Sequence, residues 1–391
     1  MTLMFSLDKD LETRRKKIQA KMLEIGADAC IIASNVNIYY LTGTVFAGYV
    51  YLPASGEPVF FVRRPVGLSG DKIVYIRKPE DIPALLSAKG IALPEYILLE
   101  TDQLTYNEIV RMQAVFNAPK TGNATALLRQ IRSIKTECEV EQLRFSGQKH
   151  AAVYAQIKAC YSPGITDVDF QAKIEYVMRT SGSIGFFRAF GSNMDIYMGS
   201  VLTGKNAEAP SPFDFALGGE GVDTSLPIGS NGSVLLPGTS VMIDMAGNYT
   251  AYLTDMTRTF SVGKLPDIAY RVHQLAIDIQ DAIEEKSKPG ASCAELYKLS
   301  LQMAEKAGFA KYFMGTKQQA KFVGHGVGLE INELPVLTER SKELLETGVA
   351  FALEPKFVLP EIGALGIENT FLVTDNGAEK LTLFEEQIIE L

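Results

Sequence analysis

The chain has 391 residues, 47% of them hydrophobic and 21% charged. That excludes a disordered polymer and leaves enough material for two or three domains with a sizeable core. A net charge of −8 argues against a nucleic-acid surface, and no run of about 18 apolar residues exists to span a bilayer.

The four cysteines, Cys30, Cys138, Cys160 and Cys293, have no paired spacing. They read as thiols of a reducing compartment, not as a disulfide framework or a zinc knuckle. The apolar start of the chain is short and acids follow at once, unlike a secretory signal. The cytoplasm is the expected location.

Leu11, Ile18, Met22 and Ile25 recur at helical spacing and Gly26 stops the pattern. The basic cluster Arg14 to Lys17 falls on this helix and is expected on its solvated face. Residues 29–33 read as a buried strand. Segments 49–52 and 58–62 flank Ser55 and Gly56, a hairpin signal. Strands at 72–76 and 96–99 alternate with helices at 79–89 and 106–116, giving a small α/β domain. Arg63 and Arg64 read as a charged strand end. Polar residues 119–123 mark the boundary, dividing the chain into domains 1–122 and 123–391.

Helical sequence follows over 125–135 and 137–161. His150 and His273 both read as helix-surface residues. Pro163 and Gly164 precede a helical segment ending at Gly182; Pro289 and Gly290 precede another ending at Gly308, with an offset of 126 residues between the copies. This echo suggests a duplicated α/β half, with the two halves facing one cleft. Between Gly182 and Val241, glycine and proline are dense. No Lys-Ser or Lys-Thr pair follows the glycines, so nucleotide binding is rejected, and the stretch reads as a wall of the cleft.

Five residues in the last third carry the chemistry. Asp244 ends the apolar run from Val241. Asp255 follows eleven residues later. His325 lies between Gly324 and Gly326. Glu354 follows the apolar run 349–353, and Glu368 precedes another at 371–373. Singly, each acid reads as a strand-end carboxylate facing water. Together, acids that interrupt apolar strands are costly if buried without partners. A pair of divalent cations roughly 3.5–4 Å apart would satisfy all of them, since oxygen-rich sites with one imidazole suit hard or borderline metals.

These segments resemble the metal-ligand motifs of the pita-bread metallopeptidases, the family of methionine aminopeptidase, aminopeptidase P and prolidase. Segments 14–18 and 37–43 resemble the aminopeptidase P and prolidase branch. The resemblance implies a C-terminal pita-bread fold of pseudo-two-fold halves behind a creatinase-like N-terminal α/β domain. It implies a metal-dependent peptidase that removes the N-terminal residue from short Xaa-Pro peptides, as a cytoplasmic homodimer. Two divalent ions (manganese, cobalt or zinc) are implied: Asp244 on one, His325 and Glu354 on the other, Asp255 and Glu368 bridging. The ions would acidify a shared water, and Glu354 would act as general base.

The chain departs from the family at three places. Asn332 and Glu333 stand where relatives carry His-Glu, so Asn332 is the candidate oxyanion donor. No histidine lies between Ser183 and Ser240. Gly366 and Asn369 replace an arginine and a frequent aspartate around Glu368. Tyr197, Tyr249 and Tyr252 are candidate replacement donors. The alternatives are a pita-bread binding protein with a metal cage but little catalysis, and a creatinase-like amidinohydrolase.

Overall fold

The computed structural model describes residues 2–186, 188–191, 194 and 196–391. The chain divides into two compact units, Met1–Arg132 and Ser133–Leu391. Among the described residues no helix is long and apolar enough to cross a membrane.

The first unit runs α1 (Thr2–Glu24), β1 (Ala29–Ile32), α2 (Asn35–Thr42), β2 (Ala47–Pro53), β3 (Val59–Arg64), β4 (Ile73–Tyr75), α3 (Ile82–Ala88), β5 (Tyr96–Leu99), α4 (Tyr106–Phe116), β6 (Lys120–Asn123) and α5 (Thr125–Ser133). The strands form one sheet in the order β4-β3-β2-β1-β5-β6. The β2–β3 hairpin is antiparallel, and β5 and β6 extend the sheet in parallel from β1. Ile31, Phe61, Ile82, Leu86, Leu99 and Phe116 form its core.

The basic cluster corrects an expectation. Lys16 is exposed and Lys17 half-exposed, but Arg14 and Arg15 are buried. Arg14 Nη1 donates to the carbonyl of Tyr40 at 3.1 Å and Arg15 Nη1 to that of Leu41 at 3.0 Å. Carbonyls in the last turn of a helix have no partner within it. The two arginines serve the end of α2 instead of facing water.

The second unit runs α6 (Glu137–Tyr154), α7 (Asp167–Thr180), β7 (Gly199–Thr203), β8 (Ser240–Gly247), β9 (Thr254–Ser261), α8 (Asp267–Lys286), α9 (Cys293–Lys306), β10 (Phe322–Gly326), β11 (Glu333–Thr338), β12 (Ala350–Leu353), β13 (Lys356–Leu359), β14 (Gly363–Gly366), β15 (Asn369–Thr374), β16 (Gly377–Lys380) and β17 (Ile389–Glu390). One sheet has the order β17-β9-β8-β7 and another β11-β10-β12-β15-β16; β13 and β14 form a separate ribbon.

The duplication read from the sequence is present in the fold. α7 and α9 both begin and end 126 residues apart. Thr166 and Ser292 cap them, each side chain accepting from the backbone N–H three residues on. Gly164 and Gly290 turn the chain before each cap at φ of 83° and 90°. The halves are joined where Thr257 of β9 and Glu368 exchange backbone hydrogen bonds of 3.3 and 3.1 Å.

His150 and His273 are buried, contrary to expectation. In α6 the buried residues Leu143, Ser146, Gly147, His150 and Val153 follow helical spacing; His150 lies on that stripe, its Nδ1 3.1 Å from Thr254 Oγ1. In α8 the buried stripe is Ala269, Val272, His273 and Ala276, and His273 Nε2 lies 2.7 Å from the carbonyl of Glu386. Periodicity outweighed the polar neighbours that suggested a surface.

Burial, helped by the nearby Arg258 charge, holds the His150 pKa down at about 3. Burial also outweighs the Glu386 carbonyl at His273 and holds it at about 4. The unfolded chain binds these protons near pH 6.5, so it binds more protons than the native state between that pH and the native values. Stability is therefore full above pH 6.5 and falls as pH drops, by about 2 kcal/mol per histidine at pH 5. Urea unfolding at pH 7.5 and pH 5 should show this loss, and His150→Asn should show a smaller loss between the two pH values than the parent.

Candidate metal centre

Strand periodicity aims the first two acids. Val241, Ile243 and Met245 of β8 pack into the core with Phe170 and Ile174 of α7, so Asp244 points from the other face of the strand. Asp244 is in register with Thr257 of β9, and Ala246 with Asp255, which brings both aspartates to one face. Thr370 fixes the second: its hydroxyl accepts from the Asp255 N–H at 2.8 Å and donates to the Asp255 carbonyl at 2.9 Å.

The other three ligands come from the second half. His325 lies in β10, opposite Ala352 of β12 and Val336 of β11. A Cβ on Gly324 would collide with the Ala352 carbonyl oxygen and one on Gly326 with that of Leu334. The two glycines therefore allow the strands on either side to close around the imidazole. Glu354 follows β12 and is anchored by its N–H on the Val323 carbonyl at 2.9 Å. Glu368 lies at the junction of the halves, where Thr257 Oγ1 donates to its Oε2 at 2.8 Å.

All five side chains converge. Ligand atoms of Asp255, His325 and Glu368 lie within 4.8 Å of one another, as do those of Asp244, Glu354 and Glu368. His325 Nε2 is 3.4 Å from Glu354 Oε1 and 3.9 Å from Asp255 Oδ2. Asp255, Glu354 and Glu368 are buried, and Asp244 is the most open of the four acids.

A sixth residue, passed over in the sequence, enters the cluster. The ammonium of Lys356, at the start of β13, donates to Asp244 Oδ2 at 2.8 Å, Glu354 Oε2 at 2.7 Å and Glu368 Oε2 at 2.9 Å. Its side chain has no exposed surface. The available signal was a lone lysine two residues after Glu354, inside an otherwise apolar stretch. Its cross-strand partner is Gly366, at φ 145°. A Cβ there would come within 2.5 Å of the Pro355 oxygen and 2.8 Å of Lys356 Cα. As β13 lies, no side chain fits at 366.

The electrostatics follow from this packing. Burial pushes the Lys356 pKa down, but Asp244, Glu354 and Glu368 outweigh it and hold the ammonium charged. Burial also opposes the charge on His325, yet the hydrogen bond and charge of Glu354 lift its pKa to about 9. At Glu354 burial is overcome by Lys356 and His325, so its pKa is lowered. At Glu368 burial and the Glu354 charge raise it; at Asp255 burial and the Glu368 charge do the same.

Asp255, His325 and Glu368 fit a divalent cation in donor type. Glu368 Oε1 is buried and has no hydrogen-bond partner among the described residues, the state of an oxygen that needs a cation. The Asp244, Glu354 and Glu368 side of the cluster does not fit a second ion, because Nζ of Lys356 already engages an oxygen of each.

Around the cluster, the Asn332 amide is engaged with a loop. Its Oδ1 accepts from the Phe190 N–H at 2.6 Å and its Nδ2 donates to the Phe190 carbonyl at 2.9 Å. The Ile331 N–H donates to the Arg188 carbonyl at 2.8 Å. Described parts of the stretch expected to wall the cleft thus dock on the segment after His325; Phe187, Ser192, Asn193 and Asp195 lie outside the described residues. Glu333 Oε1 accepts from the Leu329 N–H at 2.9 Å and its Oε2 from Lys135 at 2.8 Å. Tyr252 donates to Glu139 at 2.7 Å, Tyr249 is buried and Tyr197 is exposed.

Asn332→Ala removes both bonds to Phe190. At about 1 kcal/mol net for bonds of this kind, the Phe190 amide should exchange with deuterium roughly five- to tenfold faster, while amides in β8 stay protected.

The family model for metallopeptidase family M24 matches residues 141–375, and that for the creatinase/prolidase N-terminal domain matches residues 14–134. An Xaa-Pro dipeptidase of Pyrococcus furiosus is 26% identical over 387 residues, covering 97% of this chain and 100% of the relative. One from Pyrococcus horikoshii is 26% identical, covering 96% and 98%. Among solved structures, an Xaa-Pro dipeptidase from Bacillus anthracis superposes with a TM-score of 0.80 at 23% identity, over 98% of this chain and all of that one. The prolidase of Pyrococcus horikoshii gives 0.77 at 23%, over 96% and 100%. These structures share the fold expected from the motifs.

Proposed function

Since this chain belongs to metallopeptidase family M24, we propose that it hydrolyses short peptides, releasing the residue that precedes a proline, with the aid of a divalent cation. The observation that carries the reading is the convergence of Asp244, Asp255, His325, Glu354 and Glu368 from both halves onto one partly open cluster. The Xaa-Pro preference is taken from the relatives at 26% identity. Oxygen-rich donors with one imidazole suit manganese, cobalt or zinc.

Asp255, His325 and Glu368 would hold the cation, which when bound would acidify a water and polarise the carbonyl for amide hydrolysis. The chain's own groups do the rest. Glu354 Oε2 is tied to Lys356, leaving Oε1, on the His325 side, to receive a proton and return it to the leaving amine. Lys356 holds three carboxylates in place while Asp244 borders the more open side. Asn332 positions the Phe190 segment, its Nδ2 donating to the Phe190 carbonyl instead of to a reacting carbonyl.

A second reading, a pita-bread binding protein with little catalysis, is favoured by one observation: Lys356 ties up an oxygen of three of the five expected ligands.

The test is a screen of the manganese-loaded protein on dipeptides and tripeptides varied at the second residue. Cleavage of Xaa-Pro peptides is expected, and Glu354→Ala should lower kcat by about 10²–10⁴. Bound metal with no turnover on any peptide moves the assignment to the binding-protein reading.

A further inference from the structure

We infer that the ammonium of Lys356 takes the place of one cation of a pair, so that this chain binds a single divalent ion, at Asp255, His325 and Glu368. The inference depends on the proposed function for the kind of site, not for turnover.

A lysine ammonium has three N–H donors, and here each meets one carboxylate oxygen: Asp244 Oδ2, Glu354 Oε2 and Glu368 Oε2, at 2.7–2.9 Å. The donors are used up and the side chain is wholly buried. These three carboxylates come from three separate segments, so the ammonium holds together a site that a cation would otherwise assemble. Gly366 faces Lys356 in the ribbon, and any side chain there would collide with the Pro355–Lys356 backbone.

The opposite side of the cluster is unfinished. Glu368 gives Oε2 to Lys356 and Thr257, while its Oε1, buried in a residue 1% exposed, has no hydrogen-bond partner among the described residues. Asp255 and His325 supply the other ligand atoms within 4.8 Å. Charge leads to the same count. With His325 neutral, as a metal ligand must be, four ionised carboxylates less one ammonium leave three negative charges. One divalent ion reduces the excess to one. A second would reverse its sign and would compete with the ammonium for the same oxygens.

The test strips the full-length protein of metal and titrates it with Mn²⁺ alone, reading stoichiometry by elemental analysis after desalting and environment by electron paramagnetic resonance. One ion per chain is expected, with the six-line spectrum of an isolated Mn²⁺. Asp255→Asn should lose it. Lys356→Gly should bind two ions per chain and show exchange-coupled signals. Two ions or a coupled spectrum in the parent overturns the inference. So does no ion in the parent, an ion retained by Asp255→Asn, or a folded Lys356→Gly that still binds one. If Lys356→Gly does not fold, the parent's count and spectrum decide. One ion without peptide turnover sinks the proposed hydrolysis and leaves this inference standing; two ions with turnover does the reverse.

Discussion

Four carboxylates cannot share a dry junction without positive charge beside them. The cost of taking an ion out of water is several kcal/mol each even after relaxation, and here Asp255, Glu354 and Glu368 are nearly inaccessible. The second unit is arranged around that constraint. Lys356 supplies one fixed charge, Arg258 donates to the backbone carbonyl of Glu368 at 2.8 Å, and threonines 257 and 370 hold the acids' side chain and backbone. Removing a single member of such a cluster leaves a buried charge uncompensated.

The duplicated architecture explains how distant residues meet. Each half contributes a pair of helices backing a sheet, and the halves meet at the Thr257–Glu368 bridge. Strand alternation turns Asp244 and Asp255 out of the α6–α7 core toward that seam. From the other side, β10 and β12 bring His325 and Glu354 to it, and the glycines flanking His325 let the strands close in. No one strand could place five ligands within a few ångströms; a seam between two sheets can.

Much of this was legible before any coordinates. The acids interrupting apolar strands, the glycine-flanked histidine and the 126-residue echo each have a local signature, and α7 and α9 keep the echo to the residue. What was misread depended on which face a residue occupies. His150 and His273 sit among polar or small neighbours in sequence, but the 3.6-residue period puts them inside. Arg14 and Arg15 are a charge run whose partners, the carbonyls of Tyr40 and Leu41, lie 26 residues away. Lys356 was overlooked because its meaning depends on Asp244 and Glu368, which reach it from other segments, even though Glu354 lies only two residues before it.

The residues read from the sequence as departures each have a physical setting in the fold. The backbone of Pro355 and Lys356 leaves no room for a side chain on the facing residue of the ribbon, and that residue is Gly366. The guanidinium that braces the Glu368 segment comes from β9: Arg258 reaches the Glu368 carbonyl and Asn369 Oδ1. Asn369 in turn donates to Gln280 and Glu386, extending the brace to α8 and the C-terminal segment. Asn332, in place of a histidine, is a neutral amide whose acceptor and donor suit a backbone N–H and carbonyl, and Phe190 provides both. An ammonium differs from a metal ion in one decisive respect: it compensates charge and donates hydrogen bonds but cannot acidify a coordinated water. On the single-ion reading proposed above, hydrolysis would be organised from the Asp255–His325 side of the cluster, with Lys356 acting on the geometry of the acids and not on the reacting water.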